Sequence, residues 1–182
     1  LASQLTIVND QIKKARKMGQ LLKGLITMGP DLLGFDRPKN YLVLLQNSNE
    51  LRPTGGFIGA LVKVGLDGGK MTPPEVEDIY SLDGKIDQLD QFIPAPKIFN
   101  DTLETTSLHL RDANYDISFP QSSLKIKKLY KLATGKDFDG IVAVDLELVK
   151  NLLAATGPIF LSTYNEEISA ENLFEKVQFH AE

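Results

Sequence analysis

Apolar residues recur at helical spacing from Ala2 to Met28, through Leu5, Val8, Ile12, Ala15, Leu22 and Leu25, with Lys13, Lys14, Arg16 and Lys17 between them. The spacing predicts an amphipathic helix with a solvated basic face, ended by Gly29-Pro30. After the charged run Asp36-Arg37-Pro38-Lys39, the apolar Tyr41-Leu42-Val43-Leu44-Leu45 reads as a strand buried on both faces at the centre of a sheet. A polar, turn-rich stretch from Gln46 to Gly56 separates it from a second strand, Phe57 to Val64, which stops at the Asp67-Gly68-Gly69 turn. Residues 70–81 restart as a third strand, with Pro73-Pro74 confining its first part to an edge or a bulge.

Residues 82–119 lose the pattern. They are acidic around Asp83, Asp87 and Asp90, broken by Pro94 and Pro96, and carry one short expected helix near Lys97 to Leu103. So long an irregular stretch inside a domain reads as a functional flap. Order returns at Pro120, which opens a helix through Leu124, Leu129 and Leu132 that closes at Gly135. A strand from Phe138 to Val144, a helix from Leu146 to Ala155 ended by Gly157-Pro158, a short strand from Ile159 to Ser162 and a capped helix from Ser169 to Phe179 complete the chain. Alternating helices and strands give an α/β class with a mixed sheet flanked by helices.

The 182 residues, 42% hydrophobic and 24% charged, supply a core for one globular unit. A net charge of -4 lacks the basic excess of a nucleic-acid surface. With no cysteine, disulfides and thiolate metal sites are excluded. No apolar run reaches the roughly 18 to 20 residues of a membrane span. The start at Leu1 rather than methionine is read as that of a processed or trimmed chain, with room for an anchor upstream.

A polar loop directly after a buried strand lies where α/β sheets bind ligands, which makes Asn47 to Gly56 the first candidate site. Gly55 and Gly56 would let backbone approach a ligand, Arg52 would grip a phosphate or carboxylate, and Asn47, Asn49 and Thr54 offer hydrogen bonds. The structural alternative is an ordered crossing whose asparagines bond their own backbone. Gly65 to Met71 has a lysine after glycines but neither the spacing nor the Ser or Thr of a nucleotide loop, and reads as a hairpin turn. Asp112, Asn114 and Asp116 alternate as in a calcium loop, yet Ile117 replaces the turn glycine and Ser123 the bidentate glutamate, which excludes an EF-hand; a contribution to a metal or ligand site from the flap stays open beside the favoured use, turn-making and capping of the helix at Pro120. Asp83, Lys85, Asp87 and Asp90 pose the same choice, with an exposed acidic surface favoured over a site. His109 and His180 are the only histidines, and neither a nucleophile elbow nor an H-E-x-x-H motif accompanies them.

Tyr41-Leu42-Val43-Leu44-Leu45-Gln46-Asn47-Ser48-Asn49-Glu50-Leu51-Arg52-Pro53-Thr54-Gly55-Gly56-Phe57-Ile58-Gly59 and Phe138-Asp139-Gly140-Ile141-Val142-Ala143-Val144-Asp145, with Asp112-Ala113-Asn114 and Ser118-Phe119-Pro120, resemble the bacterial family known as domain of unknown function 4012. The resemblance implies an extracytoplasmic domain behind a single N-terminal membrane helix, with no established activity. More distantly, the order of elements is similar to the LytR-CpsA-Psr phosphotransferases, which move glycopolymers from a polyprenyl pyrophosphate carrier to cell-wall glycan with magnesium. Arg52-Pro53-Thr54 stands in the place of that family's Arg-Ser-Asp-Thr run, and Lys85-Ile86-Asp87 resembles its Lys-Ile-Asn motif. The aspartates that hold magnesium there are replaced here by the Asn47-Ser48 region and by Thr54 or Gly55. That family's distal arginine segment would fall beyond Glu182.

The periodicity gives an N-terminal helical segment over residues 1–35, and the resemblances imply a LytR-CpsA-Psr-like sandwich over 36–182 that continues past Glu182. Two functions stand at this point. One is an envelope domain binding a polyprenyl-(pyro)phosphate-linked glycan or other anion through Asn47, Asn49, Arg52, Thr54, Gly55, Gly56 and Lys85, related to glycopolymer transfer. The other is a non-catalytic envelope scaffold or protein-interaction module. An apolar tunnel beside Arg52 favours the first; a filled core with Arg52 paired to an internal carboxylate favours the second.

Overall fold

In the computed structural model, which describes residues 16, 27–89, 93–97, 99 and 105–181, the chain forms two compact units, Leu1–Asn40 with Val64–Pro73 and Tyr41–Lys63 with Pro74–Glu182. Most of the predicted N-terminal helix, much of the Lys97 to Leu103 helix, and Asp90 lie outside the described residues.

In the first unit, residues 27–32 are helical. Gly29-Pro30 does not end that helix: the Leu33 amide bonds back to the Gly29 carbonyl at 2.8 Å, and the turn closes at Gly34. Gly34 has φ 76°, a left-handed value that suits glycine. The Gly68 and Gly69 amides donate to the Gly34 and Leu33 carbonyls at 2.9 Å each. The Gly65–Met71 segment is the hairpin turn its glycines predict, pairing Leu66 with Met71 and Asp67 with Lys70.

The second unit is built on β1 (Lys39–Asn47), which lies between β2 (Phe57–Asp67) and β5 (Gly140–Asp145). β1 and β5 run parallel, from Tyr41 opposite Gly140 to Gln46 opposite Asp145. β1 is fully buried on one face only: Leu42 and Leu44 are wholly inaccessible, but Leu45 keeps 38% of its surface. The predicted third strand splits. After β3 (Lys70–Met71), Pro73-Pro74 interrupts the pairing, and β4 (Glu75–Asp78) resumes it against Ala60–Lys63 of β2.

A helix then replaces the end of the expected strand and the start of the expected flap. α1 (Ile79–Asp87) is capped by Asp78, whose carboxylate accepts the Ser81 amide at 2.8 Å. That bond holds the Asp78 carboxyl below its ordinary range. Ile79, Leu82 and Ile86 bury the helix on one face. α2 (Phe119–Thr134) carries Pro120 in its first turn and ends at Gly135 with φ 72°, as its sequence predicts. Of its buried residues, Ile126, Leu129 and Tyr130 join Leu42, Leu44, Ile58, Leu61 and the α1 apolars in one core. Each fully buried aliphatic side chain there contributes roughly 1.5–3 kcal/mol.

A smaller cluster of Leu153, Ile168 and Leu173 organises the C-terminal elements. α3 (Leu146–Thr156) is capped by Asp145, and β6 (Ile159–Leu161) pairs antiparallel with β7 (Glu166–Ile168). β7 occupies residues the pattern did not assign, and α4 (Leu173–Ala181) starts later than predicted. The delay has a local cause: the Asn172 carboxamide accepts the Ser169 amide at 2.8 Å, closing a turn ahead of the helix.

Candidate functional site

The Asn47–Gly56 loop divides into two halves with different commitments. In the second half, Arg52 donates through one terminal nitrogen to the Leu51 carbonyl at 3.0 Å and through the other to Asp112 at 3.3 Å. Its guanidinium also lies 5.5 Å from the Phe57 ring centroid. Asp112 belongs to a short 3-10 turn, Leu110–Asp112, and its other oxygen faces the Arg111 Nε at 3.5 Å. Arg111 in turn donates to Asp83 at 3.0 Å, while the second Asp83 oxygen accepts the Leu110 amide at 2.6 Å.

Two arginines and two aspartates therefore interlock, joining the loop, the 3-10 turn and α1. The side chains of Asp83 and Asp112 are 2% and 7% exposed, against 28% and 21% for Arg111 and Arg52. The carboxylates form the inner layer and the guanidiniums the outer one. Burial pushes the Asp83 carboxyl up, against the opposing pull of the Leu110 amide and Arg111. His109 extends the network: its Nε2 is 2.9 Å from Asp87 and its Nδ1 3.5 Å from Arg111. Both contacts are satisfied when Nε2 carries the proton, donating to Asp87, and Nδ1 accepts from Arg111.

Gly55 and Gly56 have φ 109° and 128°, and a Cβ on Gly55 would stand 2.7 Å from the Gln46 Oε1. A Cβ on Gly56 would run into the Asn47 carbonyl. The glycines are thus required by the loop's own packing. Asn114, wholly buried, donates from Nδ2 to the Gly56 carbonyl at 2.7 Å, and its backbone carbonyl accepts the Thr54 hydroxyl at 3.3 Å. The Asn114 Oδ1 and the Gln46 Nε2 are buried without a partner among the described residues.

In the first half of the loop, Asn47 accepts the Asn49 amide at 3.1 Å, the self-bonding turn of the structural alternative. The side chains of Ser48 and Asn49 line a cavity of about 190 Å³. Lys85 is exposed on α1. Asp83 is buried, not on an acidic surface: the sequence showed its charge but not its partners. Asp116 does make the expected local turn, accepting the Ser118 amide at 3.0 Å and pairing with Lys125 at 3.0 Å. Asp112 and Asn114, by contrast, bind the distant Arg52–Gly56 segment.

Chemically the network is a brace. Arg52 and Arg111 balance Asp83 and Asp112, which leaves no free nucleophile or base among these four. The donor set does not fit magnesium either, because each carboxylate is already engaged by guanidinium. Among the described residues no group of three or more His, Asp or Glu converges to hold a metal ion. No described helix is long and apolar enough to cross a membrane.

No curated protein matches the chain, and no solved structure does. Residues 36–181 match the family described as Protein of unknown function (DUF4012). That match spans the strand-loop-strand of the brace and the C-terminal elements, and the chain belongs to this family.

Proposed function

We propose that this chain is an envelope domain that works by binding rather than by catalysis, an interaction module whose Arg52 loop is part of its architecture. The observation that carries the reading is the pairing of Arg52 with the buried Asp112. A guanidinium so engaged, in a cluster of zero net charge, has little attraction left for a pyrophosphate. Exposed Phe160, Tyr164, Phe174 and Phe179 on the C-terminal elements offer the apolar anchors that binding surfaces use. The envelope location rests on the family resemblance of the Leu51–Gly59 run and is part of the proposal.

A second reading, an anion or lipid-linked glycan carrier site, is favoured by two features: the guanidiniums form the network's outer layer, and Gln46 and Asn114 atoms unpartnered among the described residues adjoin Gly55-Gly56. Calorimetric titration with a short-chain polyprenyl phosphate, with and without magnesium, separates the two. The module reading expects no saturable heat that depends on Arg52. Saturable binding to the wild type that a folded Arg52→Ala variant loses would replace it with the carrier reading.

A further inference from the structure

The carboxyl ends of the parallel pair β1 and β5 lie side by side, with Gln46 opposite Asp145. The segments that leave them, Ser48-Asn49 and Leu146-Glu147, form one wall of the cavity of about 190 Å³; Lys150 of α3 and Leu173 and Phe174 of α4 complete it. Crevices at the carboxyl ends of strands are where open α/β sheets take ligands.

Leu173 and Leu146 belong to the buried C-terminal cluster, but the polar wall residues and Phe174 differ from the brace in being uncommitted. The side chains of Ser48 and Asn49 have no hydrogen-bond partner among the described residues. The Phe174 ring is 51% exposed. Glu147 and Lys150 meet only at 3.6 Å, with side chains 63% and 53% exposed, a contact that exchanges for a ligand at little cost.

We infer that this cavity binds one ring of a neutral saccharide. Glu147 and Lys150 cancel, so no net charge selects an anion or a cation. What remains is an acceptor (Glu147), a donor (Lys150) and two groups that do both (Ser48, Asn49), the set that pairs with hydroxyls, each of which donates and accepts. Phe174 and Leu173 supply an apolar wall for the C–H face of the ring. The volume is below the roughly 300–1,000 Å³ of drug-sized sites, which fits a single ring. This goes beyond the module reading by giving it a ligand, and it stands apart from the Arg52 brace.

The test is amide NMR of the whole chain titrated with N-acetylglucosamine, with its β-1,4-linked tetramer and with inorganic phosphate. Binding is expected in the millimolar range for the monosaccharide, with shifts centred on Ser48, Asn49, Leu146–Lys150 and Phe174. Tighter binding of the tetramer identifies a glycan as the source, and equal binding a free sugar. Phe174→Ala and Asn49→Ala, both at exposed positions and expected to fold, should each weaken binding about tenfold, while Arg52→Ala leaves it unchanged. No shifts with either sugar, shifts that survive both cavity variants, or the same shifts with phosphate would overturn the assignment. Loss of sugar binding in a folded Arg52→Ala variant would likewise overturn it, by placing the ligand at the Arg52 side chain.

Discussion

Asn114 ties the 3-10 turn to the candidate loop, and its truncation has a calculable cost. Asn114→Ala removes the 2.7 Å bond to the Gly56 carbonyl from a site with no solvent access. The bond itself is worth about 1 kcal/mol, and an unpaired buried carbonyl costs about 1–3 kcal/mol. Against this, the variant also deletes the unpartnered Oδ1, which recovers part of the loss. The net expectation is destabilisation by about 2 kcal/mol, or roughly 4–8 °C in Tm for a chain of this length. Asn114→Asp should cost more at pH 7, because an ionised carboxylate cannot donate to Gly56 and is buried; the excess should shrink as pH falls and the carboxyl regains a donor proton. Urea unfolding followed by circular dichroism at two pH values measures both. An Asn114→Ala loss under about 0.5 kcal/mol, or an Asn114→Asp variant no worse than Asn114→Ala at pH 7, would refute this account of the loop.

Gly55→Ala combines a φ of 109° with a Cβ placed 2.7 Å from a buried Gln46 oxygen, and should lose about 1–3 kcal/mol in the same assay. Asp83 has its carboxyl raised by burial, so the folded state binds that proton more tightly and stability falls as pH climbs from the ordinary carboxylate range through the raised value. Urea midpoints of wild type and Asp83→Asn should therefore shift in the variant's favour over that window; a gap independent of pH would show the reasoning wrong. The Tyr130 hydroxyl donates to Glu77 at 2.6 Å, and burial, with Glu77 beside it, holds the phenol above its ordinary value near 10. Stability should fall as pH rises past that value, and Tyr130→Phe should remove this dependence while costing about 1 kcal/mol at neutral pH.

The elements with clean periodicity were readable from sequence: Pro120 and Gly135 bracket α2, and α3 starts at Leu146 and ends at Gly157. α1 was not: Ile79, Leu82 and Ile86 keep helical spacing, but Asp83 sets a charge on the same face, Gly84 lowers the helix propensity, and Asp83 is buried only through Arg111 and the Leu110 amide. β7 has three residues and derives its pairing from β6, so it leaves no local signature. The loop from Asn47 to Gly56 was visible as a special segment. What sequence could not supply was the direction in which its groups point, since the partners of Arg52 and Gly56 lie 60 and 58 residues away. Lys150 and Phe174 carried no motif; only the fold brings them beside Ser48 and Asn49.

A double-mutant cycle of Arg52→Ala and Asp112→Ala, read by urea unfolding, tests the brace most directly. The two groups meet at 3.3 Å around a carboxylate 7% exposed, and the account expects a coupling of about 1–2 kcal/mol. Additive losses, with no coupling between the two positions, would contradict it and return Arg52 to the role of a side chain held ready for a ligand.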